Sequence, residues 1–236
     1  MNFKYVITAG TNPYENLALE ESLLHFIDSD EAIVYLWQNH HTIVIGKHQE
    51  PFAELKVREF IKTGGKIARR NSGGGAVYHD LGNLNFSIIC KERNKNKYDY
   101  RSLIREVLLN FGMETDYNGR NDLIIAGSKF CGNAAYITGD SILCQHGSIL
   151  ICTDIEMMGR FLTPDKEKLQ RNRVSSVASR VINLSEINNQ ITVENFCRMF
   201  IDAFQMQPLH GYVQAKDLKR LIELYASEDW IFRGIK

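Results

Sequence analysis

Residues 69–83 read Arg-Arg-Asn-Ser-Gly-Gly-Gly-Ala-Val-Tyr-His-Asp-Leu-Gly-Asn, and no other stretch restricts the chain as much. Gly73, Gly74 and Gly75 admit positive φ and carry no side-chain bulk, so the backbone there can close tightly around a ligand. Successive amides in such a turn form an anion-binding nest. Arg69 and Arg70, just upstream, hold permanent charge in a fork suited to phosphate or carboxylate. No Gly-Lys-Ser/Thr follows, which excludes a Walker A loop. The glycines lead into a strand-like run rather than a helix, which excludes a dinucleotide fingerprint. A nucleotide or acyl phosphate site is one reading; a flexible hairpin beside two solvated arginines is the other.

The bulk properties narrow the classes. The chain has 236 residues, enough to bury a substantial core in one large domain or two small ones. Lys+Arg and Asp+Glu both number 28, so no global field draws the chain to nucleic acid or a membrane surface. No apolar run reaches the length of a membrane span, and Met1–Tyr5 lacks a signal-peptide core, so a cytoplasmic location is expected. The five cysteines (Cys90, Cys131, Cys144, Cys152, Cys197) are an odd number without CxxC spacing. That argues against a disulfide framework or a zinc site, and for reduced thiols.

Local patterns predict the elements. Asn12 as N-cap, Pro13 at the first position and Glu15 closing a capping box start a helix that runs to about Ile27 and buries Leu17, Leu23, Leu24 and Ile27. Strands are expected at 33–37, 42–46, 66–70, 84–90, 124–126, 129–137 and 141–151. Leu103, Ile104, Val107, Leu108 and Phe111 share one face of a helix stopped by Gly112. Further helices are expected at 154–162, 165–171, 193–205 and 218–226. Strands cluster first and helices last, so the expected class is α+β, a mixed or antiparallel sheet flanked by helices. No linker or repeat divides the chain, and residues 1–236 read as a single domain.

Two further constellations carry chemistry. Asp122 precedes Gly127-Ser128-Lys129-Phe130-Cys131-Gly132-Asn133, which places Lys129 on a turn entering a strand. Most such lysines are solvated, but a positioned ammonium can bridge a carboxylate and an α-phosphate while charge develops between them. Asp122 and Asp80 offer oxygen ligands for Mg²⁺, or are ordinary loop residues. In Cys144-Gln145-His146, a histidine two residues from a thiol is either half of a nucleophilic pair or a packed strand residue.

Taken in order, RRNSGGGAVYHDLGNLNFS, GRNDL, GSKFCGNA, QHGSILI and TPDKEKLQRNRVSSVASRVINLSE resemble the lipoate–protein ligase A family over nearly the whole chain. The resemblance implies the α+β catalytic fold shared with biotin–protein ligases and an ATP-dependent ligation in two half-reactions. Lipoate and ATP would give lipoyl-AMP, and the lipoyl group would pass to a lysine of an acceptor lipoyl domain. Carried over by position, Arg70, Gly75, Ala76, Val77 and Tyr78 would line the nucleotide and acyl adenylate. Ser72, Gly73, Gly74, His79 and Asn83 would shape the same pocket. Lys129 would be the catalytic contact to the lipoate carboxylate and α-phosphate, and Asp122 a magnesium ligand. The implied acceptors are lipoyl domains of 2-oxoacid dehydrogenase complexes and the glycine cleavage H protein, with no nucleic acid or membrane partner. Longer ligases of this family carry a C-terminal accessory domain; here Asp229-Trp230-Ile231-Phe232 is followed by only Arg233-Gly234-Ile235-Lys236, so the domain is expected to be absent and a separate polypeptide to supply it. Cys131 stands where such ligases commonly have Ser. That leaves a thioester-forming octanoyl- or lipoyl-transferase, or a partner-dependent lipoate-binding subunit, as alternatives.

Overall fold

The computed structural model describes residues 2–28, 30–118, 122–163, 181–212 and 217–234. In chain order its elements are β1 (Asn2–Ile7), α1 (Pro13–Leu23), β2 (Glu31–Trp37), β3 (Thr42–Ile45), α2 (Pro51–Glu54), α3 (Val57–Lys62), β4 (Lys66–Arg69), β5 (Val77–His79), β6 (Asn83–Lys91), α4 (Tyr100–Asn110), β7 (Asp116–Asn118), β8 (Asp122–Ile125), β9 (Ser128–Ile137), β10 (Ile142–Leu150) and α5 (Ile155–Phe161). Helical segments Leu184–Ile187, Val193–Ala203 and Leu218–Ala226, the short β11 (Gln207–Pro208) and a final helical turn Asp229–Arg233 follow. Among the described residues no helix is long and apolar enough to cross a membrane.

The strands form two sheets. The larger runs β11-β1-β2-β6-β10-β9-β8-β7; β1 pairs in parallel with β11 and β2, and its remaining pairs are antiparallel. The smaller runs β4-β3-β5, with β3 parallel to β4 and antiparallel to β5. The expected mixed sheet is what forms.

β2 shows why the large sheet is buried on both sides. Its seven residues are all buried. Ile33, Tyr35 and Trp37 point into one core, shared with α1, the small sheet and the helix Leu218–Ala226. Ala32, Val34 and Leu36 point into the other, shared with α4 and the helix Val193–Ala203. Side chains alternate across a strand, so a continuous apolar run suits a strand with two dry faces. β6 departs from that rule in a telling way. Leu84, Phe86 and Ile88 fill the second core, while the opposite face carries Asn83, Asn85 and Ser87, all buried. Buried polar groups need partners, and this polar face lies beneath α1, where the site forms.

Most predicted elements stand within a residue or two of their expected ends. The Asn12 cap accepts from the Tyr14 amide at 3.3 Å, but Glu15 accepts from the Asn12 side-chain amide at 3.0 Å, so the capping box does not close on the backbone. β1, β5, β7, β11, α2, α3 and Leu184–Ile187 were not foreseen. The helix expected at 165–171 lies outside the described residues, as do most of the Thr163–Leu184 block and residues 119–121 of the GRNDL block.

Candidate active site

The glycine loop joins β4 to β5 and forms one wall of a cleft of about 630 Å³. Of the three glycines, only Gly74 takes positive φ, 93°. A Cβ there would stand 2.9 Å from Arg70 Nη2. Gly46, at the end of β3, lies so close beneath the loop that a Cβ on it would collide with the Gly74 carbonyl. The loop is thus a closely packed shelf and not a loose hairpin.

The two arginines are spent inside the protein. Arg70 is buried, donating from Nε to Ser72 Oγ (3.0 Å), from Nη1 to the Val44 carbonyl (3.2 Å) and from Nη2 to the Gly73 and Gly75 carbonyls (2.7 and 2.9 Å). Burial lowers its pKa to about 10, partly offset by Glu20, so it stays charged at neutral pH. It borders the cleft and holds the loop's shape from below. Arg69 is 2 % exposed and donates to the carbonyls of Gly46, Lys47, Gln49, Trp230 and Ile231. The reading of Arg69 as an anion ligand is therefore corrected.

The opposite wall is built by β8 and β9. Ala126 and Gly127 turn with positive φ (49° and 77°), and Lys129 emerges just after the turn. Its Nζ lies 2.7 Å from Asp122 Oδ1, with about a third of each side chain exposed (38 % and 35 %). Such a pair adds little to stability, and its value is positional: Lys129 and Asp122 face the same cleft as Gly74, Gly75, Ala76 and Val77. An adjoining cavity of about 340 Å³ shares Lys129 and Asp122 and reaches Tyr78.

The floor is a hydrogen-bonded network. His146 Nε2 is 2.5 Å from Ser72 Oγ, and its Nδ1 is 2.8 Å from Glu20 Oε1. Ser87 donates to Glu20 at 2.5 Å and accepts from Trp37 Nε1 at 3.1 Å. His79 Nδ1 meets Asn39 Nδ2 at 3.2 Å, and burial, then Arg70 and His146, hold its pKa down to about 3, so it is neutral. Among the described residues, Asn85 Nδ2 and Asn133 Oδ1 are buried without a hydrogen-bond partner, and both residues line the cleft. Unpaired buried polar atoms are costly, and a polar ligand in the cleft would satisfy them.

Other expected site residues take supporting places. Ser72 and Gly73 lie behind the shelf through their bonds to Arg70. Asn83 accepts from the Asp80 amide at 2.8 Å and donates to Asn85 Oδ1 at 3.0 Å, which fixes the turn into β6. Asp80 accepts from the Gly82 amide (2.7 Å) and the Asp154 amide (2.8 Å), so it ties the loop before β6 to the start of α5. Cys131 and Cys144 are 1 % and 0 % exposed, and burial pushes both thiols well up from their ordinary value. Neither presents a ready thiolate.

Residues missed from the sequence include Glu20, Trp37, Asn85 and Asn133. The first looks like any helix carboxylate beside Glu21. The polar alternation Asn83, Asn85, Ser87 within an apolar strand was the available signal.

Residues 12–205 match the family described as the lipoyl protein ligase A/B catalytic domain. The chain is 36% identical to the lipoate-protein ligase A of Blochmanniella floridana over 242 residues, covering 97% of this chain and 72% of that protein. It is 38% identical to a probable lipoate-protein ligase A of Mycoplasma genitalium, covering 97% and 71%. Among solved structures, Plasmodium falciparum LipL1 in complex with lipoate superposes with a TM-score of 0.81 at 29% identity, over 100% of this chain and 75% of that one. The bi-partite lipoate protein ligase of Thermoplasma acidophilum gives 0.78 at 23%, over 100% and 97%, a likeness of fold.

Proposed function

Because the chain belongs to the lipoyl protein ligase A/B catalytic family, we propose that it is an ATP-dependent lipoate–protein ligase working in the cleft between the glycine shelf and Lys129. One observation carries the assignment of chemistry to this cleft: a lysine ammonium stands across a single cavity from a glycine-rich backbone shelf that the buried Arg70 holds in shape. Adenylation brings two anions together. The lipoate carboxylate oxygen attacks the α-phosphorus of ATP, and pyrophosphate leaves. Lys129 Nζ is placed to neutralise charge on both the carboxylate and the α-phosphate as they approach. The shelf amides around Gly74 and Gly75 supply fixed dipoles, and Arg70 keeps them aimed. In the second half-reaction an acceptor lysine amine attacks the acyl carbonyl and AMP leaves, forming the amide.

Two carboxylates line the cleft, Glu54 and Asp122, and Asp122 is already bonded to the shelf-facing Lys129. Mg²⁺ is commonly held by one or two carboxylates together with substrate phosphates, so this donor set fits the ion only alongside a nucleotide. When bound, the ion neutralises phosphate charge. Asp122 also orients the Lys129 ammonium.

Leu17, Trp37 and Val44 give the cleft an apolar end suited to an acyl chain. The proposed acceptors are lipoyl domains of 2-oxoacid dehydrogenase complexes and the glycine cleavage H protein, and the proposed location is the cytoplasm. A separate accessory polypeptide is a further proposed partner. Lipoate-dependent exchange of pyrophosphate into ATP tests the proposal. Exchange that requires lipoate supports it; transfer from an acyl-carrier donor without ATP, and without exchange, would replace it with the acyltransferase reading.

A further inference from the structure

Behind the cleft floor, three side chains of different chemistry converge. Cys144 and His146 are two residues apart on β10 and so share a face. α1 packs over that face and brings Glu20 to them. One ligand atom from each, a carboxylate oxygen, a thiol sulfur and a ring nitrogen, lie within 4.8 Å of one another, and all three residues are buried.

We propose that Glu20, Cys144 and His146 form a binding site for a soft divalent metal ion of the zinc class. Carboxylate, thiolate and imidazole are the three ligand types zinc uses, with bonds of about 2.0–2.3 Å that set ligand atoms roughly 3.3–3.8 Å apart in a tetrahedron. A small contraction of the present cluster reaches that spacing. The sulfur ligand selects against magnesium and calcium, which prefer oxygen.

The outer shell is already built. With Nδ1 turned to the metal, His146 Nε2–H donates to Ser72 Oγ, 2.5 Å away. Ser87 donates to Glu20 at 2.5 Å. Such outer partners fix the tautomer and orient the ligands, and losing one typically costs about 10–100-fold in affinity. His146 borders the cleft, and a water from that side is the fourth ligand of the proposed site. Binding forms a metal–sulfur bond and releases the Cys144 thiol proton to solvent. It also replaces the His146–Glu20 hydrogen bond that orders the floor. The absence of CxxC spacing argued against zinc because one of the three ligands, Glu20, comes from a separate element, and packing, not sequence spacing, brings it to the β10 pair.

The test is titration of the purified chain with cadmium chloride, followed by the ultraviolet cadmium–thiolate absorption band and by proton release in weak buffer. One equivalent of ion is expected to give one thiolate band and release one proton from sulfur. Cys144→Ser is expected to lose the band and more than about 100-fold in affinity, beyond the cost of an outer-shell loss. Cys152→Ser and Cys197→Ser, at the two cysteines that are not buried, are expected to keep it. Circular dichroism reports whether the variants fold, and Cys144→Ala serves if the serine variant does not. No band in the folded wild type, a band unchanged in Cys144→Ser or Cys144→Ala, or one lost with Cys152 or Cys197, overturns the proposal. The readout is independent of ligase activity, so the two readings fail separately.

Discussion

Arg69 and Trp230 hold each other by reciprocal bonds: Arg69 Nε donates to the Trp230 carbonyl at 2.9 Å, and Trp230 Nε1 donates to the Arg69 carbonyl at 2.8 Å. The exchange ties the last helical turn to the strand that enters the glycine shelf. Trp230 itself is packed edge-on against Tyr225, at 5.7 Å between ring centroids.

Arg69→Ala is expected to destabilise the fold by about 3 kcal/mol or more, because it strips a buried cluster of carbonyls of their donor. Trp230→Phe removes one bond of the pair and should cost about 1–2 kcal/mol. Urea denaturation of both variants and the double variant measures the coupling. Strictly additive costs would show that the pair does not act as one lock.

Gly74→Val places a β-branched residue at φ 93° and drives its Cβ toward Arg70 Nη2. The strain should cost about 1–3 kcal/mol, and nucleotide affinity should fall beyond calorimetric detection. Gly73→Ala meets nothing within 4 Å of its new Cβ and should fold normally. Unchanged ATP or adenylate affinity in the valine variant would remove the shelf from the binding account.

Lys129→Ala should lower adenylate formation about 10²–10³-fold. Stability should barely move, because the Lys129–Asp122 pair is about a third exposed. The check is to measure lipoyl-AMP by chromatography beside thermal melting of the same preparation. Near wild-type adenylation would take the activating role away from Lys129.

His79 gives the fold an acid sensitivity with a definite sign. Burial lowers its pKa from 6.5 to about 3. Above 6.5 the ring is neutral in folded and unfolded chains alike, and its contribution is complete. As pH falls from 6.5 toward 3, the unfolded chain binds a proton that the folded one refuses, and stability drops by up to about 1.4 kcal/mol per pH unit. His79→Gln should flatten that slope by about one proton in denaturation measured between pH 7 and pH 5. An unaltered slope would mean the buried ring does not set the acid limb.

The parts that could be read from the sequence were those governed by local rules. The helix holding Leu103, Ile104, Val107 and Leu108 followed from its spacing, and Gly112 ends it with φ 71° as its position suggested. The glycine loop and Lys129 stood out because both sit on turns with unusual composition. What packing decides could not be read. β1 was missed because it pairs in parallel with β2 and β11, far apart along the chain. Arg69 and Arg70 look equivalent as neighbours, yet Arg69, the last residue of β4, reaches the helical turn at Asp229–Arg233, and Arg70, just past the strand, lies under the shelf. Glu20 is a helix carboxylate in sequence, and only the docking of α1 on β6 and β10 makes it the partner of Ser87 and His146.

The central claim is that this cleft works through an acyl adenylate and not through a cysteine thioester. Intact-protein mass spectrometry tests it most directly. The chain is incubated with an apo lipoyl domain and preformed lipoyl-AMP, or with a lipoyl- or octanoyl-carrier donor without ATP. The account predicts an acceptor heavier by one lipoyl group from the adenylate alone, no acyl adduct on the chain, and the same outcome for Cys131→Ser and Cys144→Ser. ATP-independent transfer from the carrier donor, with an acyl adduct on the chain that either serine variant abolishes, would contradict it.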